Sequence, residues 1–245
     1  MNLEPLTFVG ACLAAGAAQG VEDAVASFSK LWPNKERALH HSLGLTAAEY
    51  ARWVKDAAAL DAILVERKKW RKPAFGGAEF SPDGRYRRRL WRDYLPPGEA
   101  PVGSRILFVG LNPSKAGYLG DDDATVRRWN GYTAAWGYTG YTAVNLVDLV
   151  ATDPKVMKAT PVLELDNGND ALKRALVDDR TGLVVVCWGA NVNTPFLQER
   201  AWSVLNAIDV SGLRPYCFGK TANEEPQHPL RLRADLLPVL YGRAR

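Results

Sequence analysis

The sequence predicts an α/β protein: a three-layer α/β/α sandwich around a central, mainly parallel four-stranded sheet, preceded by a small all-helical module. Two observations carry that expectation. Beyond Ser104, four short and mostly apolar runs alternate with segments long enough for helices, and such alternation builds a parallel sheet covered on both faces. Up to about residue 66 the chain is instead Ala-rich and punctuated like short helices. Composition permits a packed core, since 47% of the 245 residues are hydrophobic and 24% are charged, well clear of the disordered range. The length suits one large domain, or a domain with a smaller appendage.

Taken in order, the module spans residues 1–66, with breaks at Pro33 and Gly44. Thr46-Ala47-Ala48-Glu49 reads as a capping box before Tyr50, Trp53, Val54, Ala57, Leu60 and Leu64, an apolar set at helical spacing. The domain of residues 67–245 begins on a basic stretch: between Glu66 and Arg92, ten basic residues face three acidic ones. Ser81-Pro82-Asp83-Gly84 is a turn between two strand candidates, so residues 76–92 are expected to form a basic hairpin. Blocks of one sign attract polyanions. The expected sheet strands are Arg105–Gly110, Tyr141–Leu146, Leu183–Trp188 and Leu213–Phe218; the helices between them are Ala124–Trp136, Asn169–Val177 and Thr194–Ile208.

Several classes are disfavoured. No stretch reaches the roughly 18 uninterrupted apolar residues of a membrane span, and the apolar start carries Glu4 without a basic leader, so a cytoplasmic location with no membrane partner is expected. Cys12, Cys187 and Cys217 lie far apart with no CxxC pair, which supports neither a zinc ribbon, an iron–sulfur cluster nor a disulfide framework. No metal and no cofactor is expected. Histidines are scarce: His40 and His41 sit together early, and His228 is the one imidazole of the C-terminal half.

In parallel sheets, ligands bind at the carboxyl ends of the strands, so the residues after each run carry the information. They are Gly110-Leu111-Asn112-Pro113-Ser114, then Asn145, then Trp188-Gly189-Ala190-Asn191, and finally Gln227-His228-Pro229-Leu230. Together they place two asparagines and the local histidine around one crevice.

The series GLNPS, AVNL, VVVCWGAN and HPL, in this order and on these elements, resembles the uracil-DNA glycosylase superfamily over about residues 76–235. The GLNPS form is most similar to the mismatch-specific branch. The chain also resembles an uncharacterised bacterial and phage family with a hairpin, LNPS, an acidic and Arg-paired segment (here Asp122 to Arg128) and HPL. The first resemblance implies that Asn112 orients a water, that Asn145 reads the pyrimidine edge, and that His228 sits beside the leaving base. Gly110, Leu111 and Ser114 would line the base site. Ser114 and Lys115 stand where strict uracil enzymes carry a Tyr-His pair that excludes 5-substituted bases, and Leu230-Arg231 replace a common Ser-Pro.

Those types fit the chemistry. Breaking an N-glycosidic bond builds positive charge on the sugar and negative charge on the base, and placed dipoles stabilise both. Asn112 offers an amide oxygen to a water, Asn145 offers a donor and an acceptor, and His228 offers a donor to the pyrimidine O2. Asp121, Asp122 and Asp123 are suited to cap the helix near Ala124; alternatively one of them, Asp123 included, contacts the base or activates the water in place of Asn112. Tyr118, in a Gly-flanked loop, is a candidate to stack on a flipped base, while Leu230 or Leu232 is either a wedge or core. Arg87, Arg88, Arg89, Lys115, Lys220 and Arg231 are the candidate phosphate contacts. The expected function is a monofunctional DNA glycosylase acting as a monomer on single- or double-stranded DNA. Its expected substrate is a modified pyrimidine, such as a hydroxymethylated or glucosylated base of phage DNA in antiviral defence. Uracil or mismatch repair, a non-catalytic modified-base-binding module and an enzyme of free nucleotides are the alternatives.

Overall fold

A computed structural model describes residues 7–15, 43–70, 72–96, 99–100, 104–165 and 170–242. Part of the expected helical module, residues 16–42 with Pro33, His40 and His41, lies outside the described residues, as does Arg71. The described helices are α1 (Phe8–Ala15), α2 (Ala47–Lys55), α3 (Ala59–Lys68), α4 (Ala124–Ala135), α5 (Pro154–Ala159), α6 (Asp170–Val177) and α7 (Pro195–Val210). The strands are β1 (Phe75–Phe80), β2 (Arg87–Asp93), β3 (Arg105–Gly110), β4 (Gly140–Asn145), β5 (Thr181–Val186), β6 (Pro215–Cys217) and β7 (Val239–Leu240).

The protein is α/β, but the sheet is larger than the four strands expected. Among the described residues it has seven, in the order β1-β2-β4-β3-β5-β6-β7. The four anticipated strands form its parallel centre, β4-β3-β5-β6. The expected basic hairpin forms, β1 pairing antiparallel with β2, and it extends the sheet because β2 also pairs antiparallel with β4, setting Leu90 opposite Ala143. At the far edge β7 pairs antiparallel with β6. Two-residue β7 has no periodic signal to read, and Arg87-Arg88-Arg89-Leu90-Trp91-Arg92 resembles an exposed strand until its neighbours are known.

The central strands are apolar on both faces, as burial on both sides demands. Ile106 and Phe108 of β3 pack with Leu183 and Val185 of β5 beneath α4. Their neighbours Leu107, Val109, Val184 and Val186 point the other way, into a core closed by α6 and α7. Helix starts follow from side-chain caps: Asp123 accepts from Val126 N at 2.8 Å to begin α4, and Thr194 accepts from Leu197 N ahead of Pro195 in α7.

The layering creates the crevice. The loop after β3 leads to α4 on one face, whereas the chain after β4 and after β5 leads to helices on the other face. Loops parting in opposite directions at the carboxyl end of adjacent parallel strands leave a binding cleft between them.

The expected capping box forms: Thr46 Oγ1 accepts from Glu49 N at 3.1 Å, and Glu49 Oε2 accepts from Thr46 N at 2.7 Å. Phe8, Val9, Leu43, Leu45, Leu60 and Ile63 give the helical segment its own small core. It docks on the C-terminal end of α4, where Thr7 Oγ1 donates to Gly137 O and Trp70 stacks on Tyr94 with ring centroids 5.1 Å apart. No helix among the described residues is long and apolar enough to cross a membrane.

Candidate active site

A cavity of about 460 Å³ opens at the carboxyl ends of β3, β4 and β5. Its wall is built from the loop after β3, the first turn of α4, the end of β4, the loop after β5 and the loop that carries His228. The helical segment is remote from it, because α4 presents its N-terminus to the cavity and its other end, twelve residues and about 18 Å away, to that segment.

Asn112 reaches the cavity from the loop after β3. Its amide nitrogen is committed to the backbone, donating to Ala151 O at 2.6 Å and Pro113 O at 3.3 Å. The rotamer is thereby fixed with Oδ1 free of those bonds, an acceptor and not a base.

Asn145 closes β4 and is buried. Among the described residues its Nδ2 has no hydrogen-bond partner, which is costly for a buried donor and marks a group held for a ligand. Gly110 permits this placement: a Cβ there would stand 2.7 Å from Asn145 Oδ1. Any larger residue would displace the amide.

His228 enters from the last loop beside Gly189, whose φ of +77° is the left-handed conformation that favours glycine. A Cβ on Gly189 would lie 3.2 Å from the His228 Cβ. Nδ1 accepts from Leu230 N at 3.3 Å, so the neutral ring carries its proton on Nε2 and offers a donor. Burial holds the imidazole below its ordinary pKa, and the Asp123 carboxylate opposes that shift without reversing it. The ring is therefore neutral at pH 7. In a nitrogen-15 titration, His228 should titrate below 6.5 as the Nε2–H tautomer. Asp123→Asn keeps the helix cap but removes the charge, and should move the titration lower still. An upward movement would sink this assignment.

The structure gathers most of the expected site residues. Gly110, Leu111, Asn112, Ser114, Asp123, Asn145, His228 and Leu230 all line the cavity. Leu230 is at the rim and exposed, while Leu232 packs against the core under α4. Tyr118 is not brought in: it is 73% exposed and does not line the cavity. Lys115 and Arg231 are exposed outside it. Lys220 is elsewhere, paired with Glu224 at 2.7 Å.

The basic hairpin differs most from expectation. Arg87 and Arg92 are buried, so neither lies on an outer phosphate-binding face. Arg89 is half-buried and pairs with Glu79 at 2.9 Å, Arg85 pairs with Glu164 at 2.8 Å, and Arg88 is half-buried. Arg87 lines the cavity itself, with Nη1 donating to Ala116 O at 2.7 Å. Desolvation lowers its pKa to about 10, which leaves it a cation at neutral pH.

Asp122 holds structure and not water: both oxygens are engaged, by Arg92 and by Asn130 Nδ2 at 2.7 Å. Sequence reading missed the wall formed by Thr125, Val126 and Trp129, and that formed by Ala151 and Thr152. Val126 and Trp129 lie on the face of α4 that also packs the core, and Thr125 carries no distinct signal. Ala151 acts through its backbone, which any residue supplies.

Residues 85–230 match the model of a family described as Protein of unknown function (DUF1643). That is more than half of the chain, which belongs to this family. Every residue lining the cavity falls within the matched span, and the helical segment falls outside it. No curated protein matches the chain, and no solved structure matches it.

Proposed function

We propose that the chain is a monofunctional DNA glycosylase that hydrolyses the N-glycosidic bond of a modified pyrimidine and leaves an abasic site. The observation that carries this reading is the set of three polar groups at one cavity: an oriented amide oxygen on Asn112, an unpartnered amide donor on Asn145 and an Nε2–H donor on His228. Water adds to C1′ as the bond to the base nitrogen breaks; the bonding pair leaves on the base and the water's proton passes to solvent. Asn112 Oδ1 orients the water, Asn145 takes a carbonyl of the base through Nδ2, and His228 donates to the oxygen on which charge collects. Among the described residues no lysine lines the cavity, so no Schiff-base step is proposed.

The volume supports a substituted base, since about 460 Å³ lies within the roughly 300–1,000 Å³ of small-molecule sites. Ser114, not a tyrosine, stands at the wall facing it. The favoured substrates are 5-hydroxymethylated or glucosylated pyrimidines of phage DNA, whose excision would scatter abasic sites through an invading genome. Leu230 at the rim is placed to fill the gap left by an extruded base, a step that costs a few kcal/mol.

One observation favours a second reading, an enzyme of free nucleotides: much of the hairpin's positive charge is buried or ion-paired. A single assay separates the two. Oligonucleotides carrying uracil, 5-hydroxymethyl or glucosylated pyrimidines, and the matching free nucleosides, are incubated with the chain; abasic sites are revealed by alkaline cleavage and released base by chromatography. Abasic product is expected from a 5-substituted oligonucleotide. Release from nucleosides alone supports the second reading, and no base release from any substrate ends both.

A further inference from the structure

Arg87 stands at the start of β2, 2% exposed, and lines the cavity. Among the described residues both of its side-chain hydrogen bonds leave from Nη1, to Ser114 O and Ala116 O. Its Nε is buried with no partner. Nε–H and the adjacent Nη2–H form the edge with which a guanidinium grips two oxygens in one plane. Asp123 and Asp148 attract the group only through space, and Asp123 Oδ1 is occupied by Val126 N. The N-terminus of α4, contributing Ala124, Thr125 and Val126 to the same wall, adds the positive end of a helix dipole.

A buried cation whose Nε–H finds no acceptor among the described residues is incomplete, because a buried unmet donor carries a desolvation cost. We infer that Arg87 is a ligand-recognition residue which takes an oxyanion, two oxygens in one plane, from the molecule that enters this cavity. The inference rests on the reading that a pyrimidine nucleotide is that molecule. Two sources supply the chemistry: a carboxylate on the base, or the phosphate of the nucleotide. The sequence alone assigned Arg87 to an outer phosphate surface; its burial moves the recognition inward, from the DNA backbone at large to the single unit held in the pocket.

The test uses free ligands and the full chain, so it does not depend on excision. Calorimetry compares 5-carboxyuracil with thymine, and thymidine 5′-phosphate with thymidine. The anionic member of at least one pair should bind about tenfold tighter or more. Arg87→Gln should erase that ratio while the neutral ligands keep their affinity, and Arg87→Lys should restore part of it. If Arg87 only braced the loop at Ser114 and Ala116, both members of each pair would weaken together and the ratio would stand, which overturns the inference. So does a wild-type chain that shows no preference in either pair. If oligonucleotides yield no abasic product while the ratio and its loss are seen, the glycosylase reading falls and the anion site remains.

Discussion

Arg92→Met should lower stability by about 3–5 kcal/mol, the usual cost of removing one partner from a buried ion pair. The Arg92 side chain is fully buried and its guanidinium is saturated. Nε and Nη2 reach Asp122 Oδ1 at 2.9 and 2.6 Å, Nη1 donates to Gly77 O and Trp91 O, and Nη2 also meets Gly117 O and Tyr118 O. Asp122 passes the connection on, because its second oxygen accepts from Asn130, whose own Oδ1 accepts from Tyr141. One side chain thus ties the hairpin, the loop after β3 and α4 into a unit. Without it, four carbonyls and a carboxylate lose their donor in low dielectric. For a chain of this size the melting temperature should fall on the order of 10 °C. Arg89→Met, which breaks the half-exposed pair with Glu79, should cost less than about 1 kcal/mol. In a double-mutant cycle, Asp122→Ala should cost far less in the Arg92→Met background than alone. Equal losses for Arg92→Met and Arg89→Met would contradict the network.

Arg92 also shows where sequence reading stops. Five arginines between Arg85 and Arg92 look alike in the chain, and charge alone places all of them at the surface. Burial of Arg92 depends on Asp122 and Asn130, and that of Arg87 on carbonyls of residues 114 and 116, partners some thirty positions away. No local pattern encodes such pairings. The parallel centre of the sheet was legible because burial on both faces forces continuous apolar runs such as Arg105–Gly110, which matches β3 from end to end. The helix starts at Thr46 and Asp123 were legible because caps are local. Strand β2 and the edge strand β7 owe their places in the sheet to pairing with residues distant in sequence, whereas the other edge strand, β1, pairs with β2 across the local turn.

The gathering of the candidate residues at one cavity was legible for a related reason. Strand ends are fixed by the runs before them, so Asn112, Asn145 and His228 could be brought to one crevice without knowing a distance. Their orientation could not. The bond from Asn112 to Ala151 O and the orphaned Asn145 amide follow from backbone placed by long loops. Tyr118 misled because a Gly-flanked aromatic near the site reads as a surface on which a flipped base stacks, whereas its side chain is exposed and lies off the cavity.

Under the glycosylase reading, Asn112→Ala and His228→Ala should each reduce single-turnover excision about 10²–10³-fold, the range for loss of one preorganised polar group. Affinity for substrate DNA should change little, since neither group is proposed to carry ground-state binding. Their combined loss should fall short of the product of the two, because both act on one transition state. Asn112→Asp is the more searching variant. A carboxylate is a stronger base than an amide, so a catalytic role limited by basicity would be rescued by it. Here the position of Nδ2 is occupied by a bond to Ala151 O at 2.6 Å, and a carboxylate oxygen there would face a carbonyl with no proton between them. The side chain must turn away or take up a proton, and either outcome removes the oriented acceptor. Asn112→Asp should therefore be nearly as slow as Asn112→Ala at pH 7 and less stable than the wild type. The pH profile separates the two residues further. Acidification below the lowered imidazole pKa puts a second proton on His228 Nδ1, which can then no longer accept from Leu230 N. The wild-type rate should be flat from neutral pH upward and fall on the acid side below 6.5, while His228→Ala should lose that limb. A rapid Asn112→Asp enzyme would show that Asn112 stands where a base belongs, and a pH limb that survives in His228→Ala would assign the titration elsewhere.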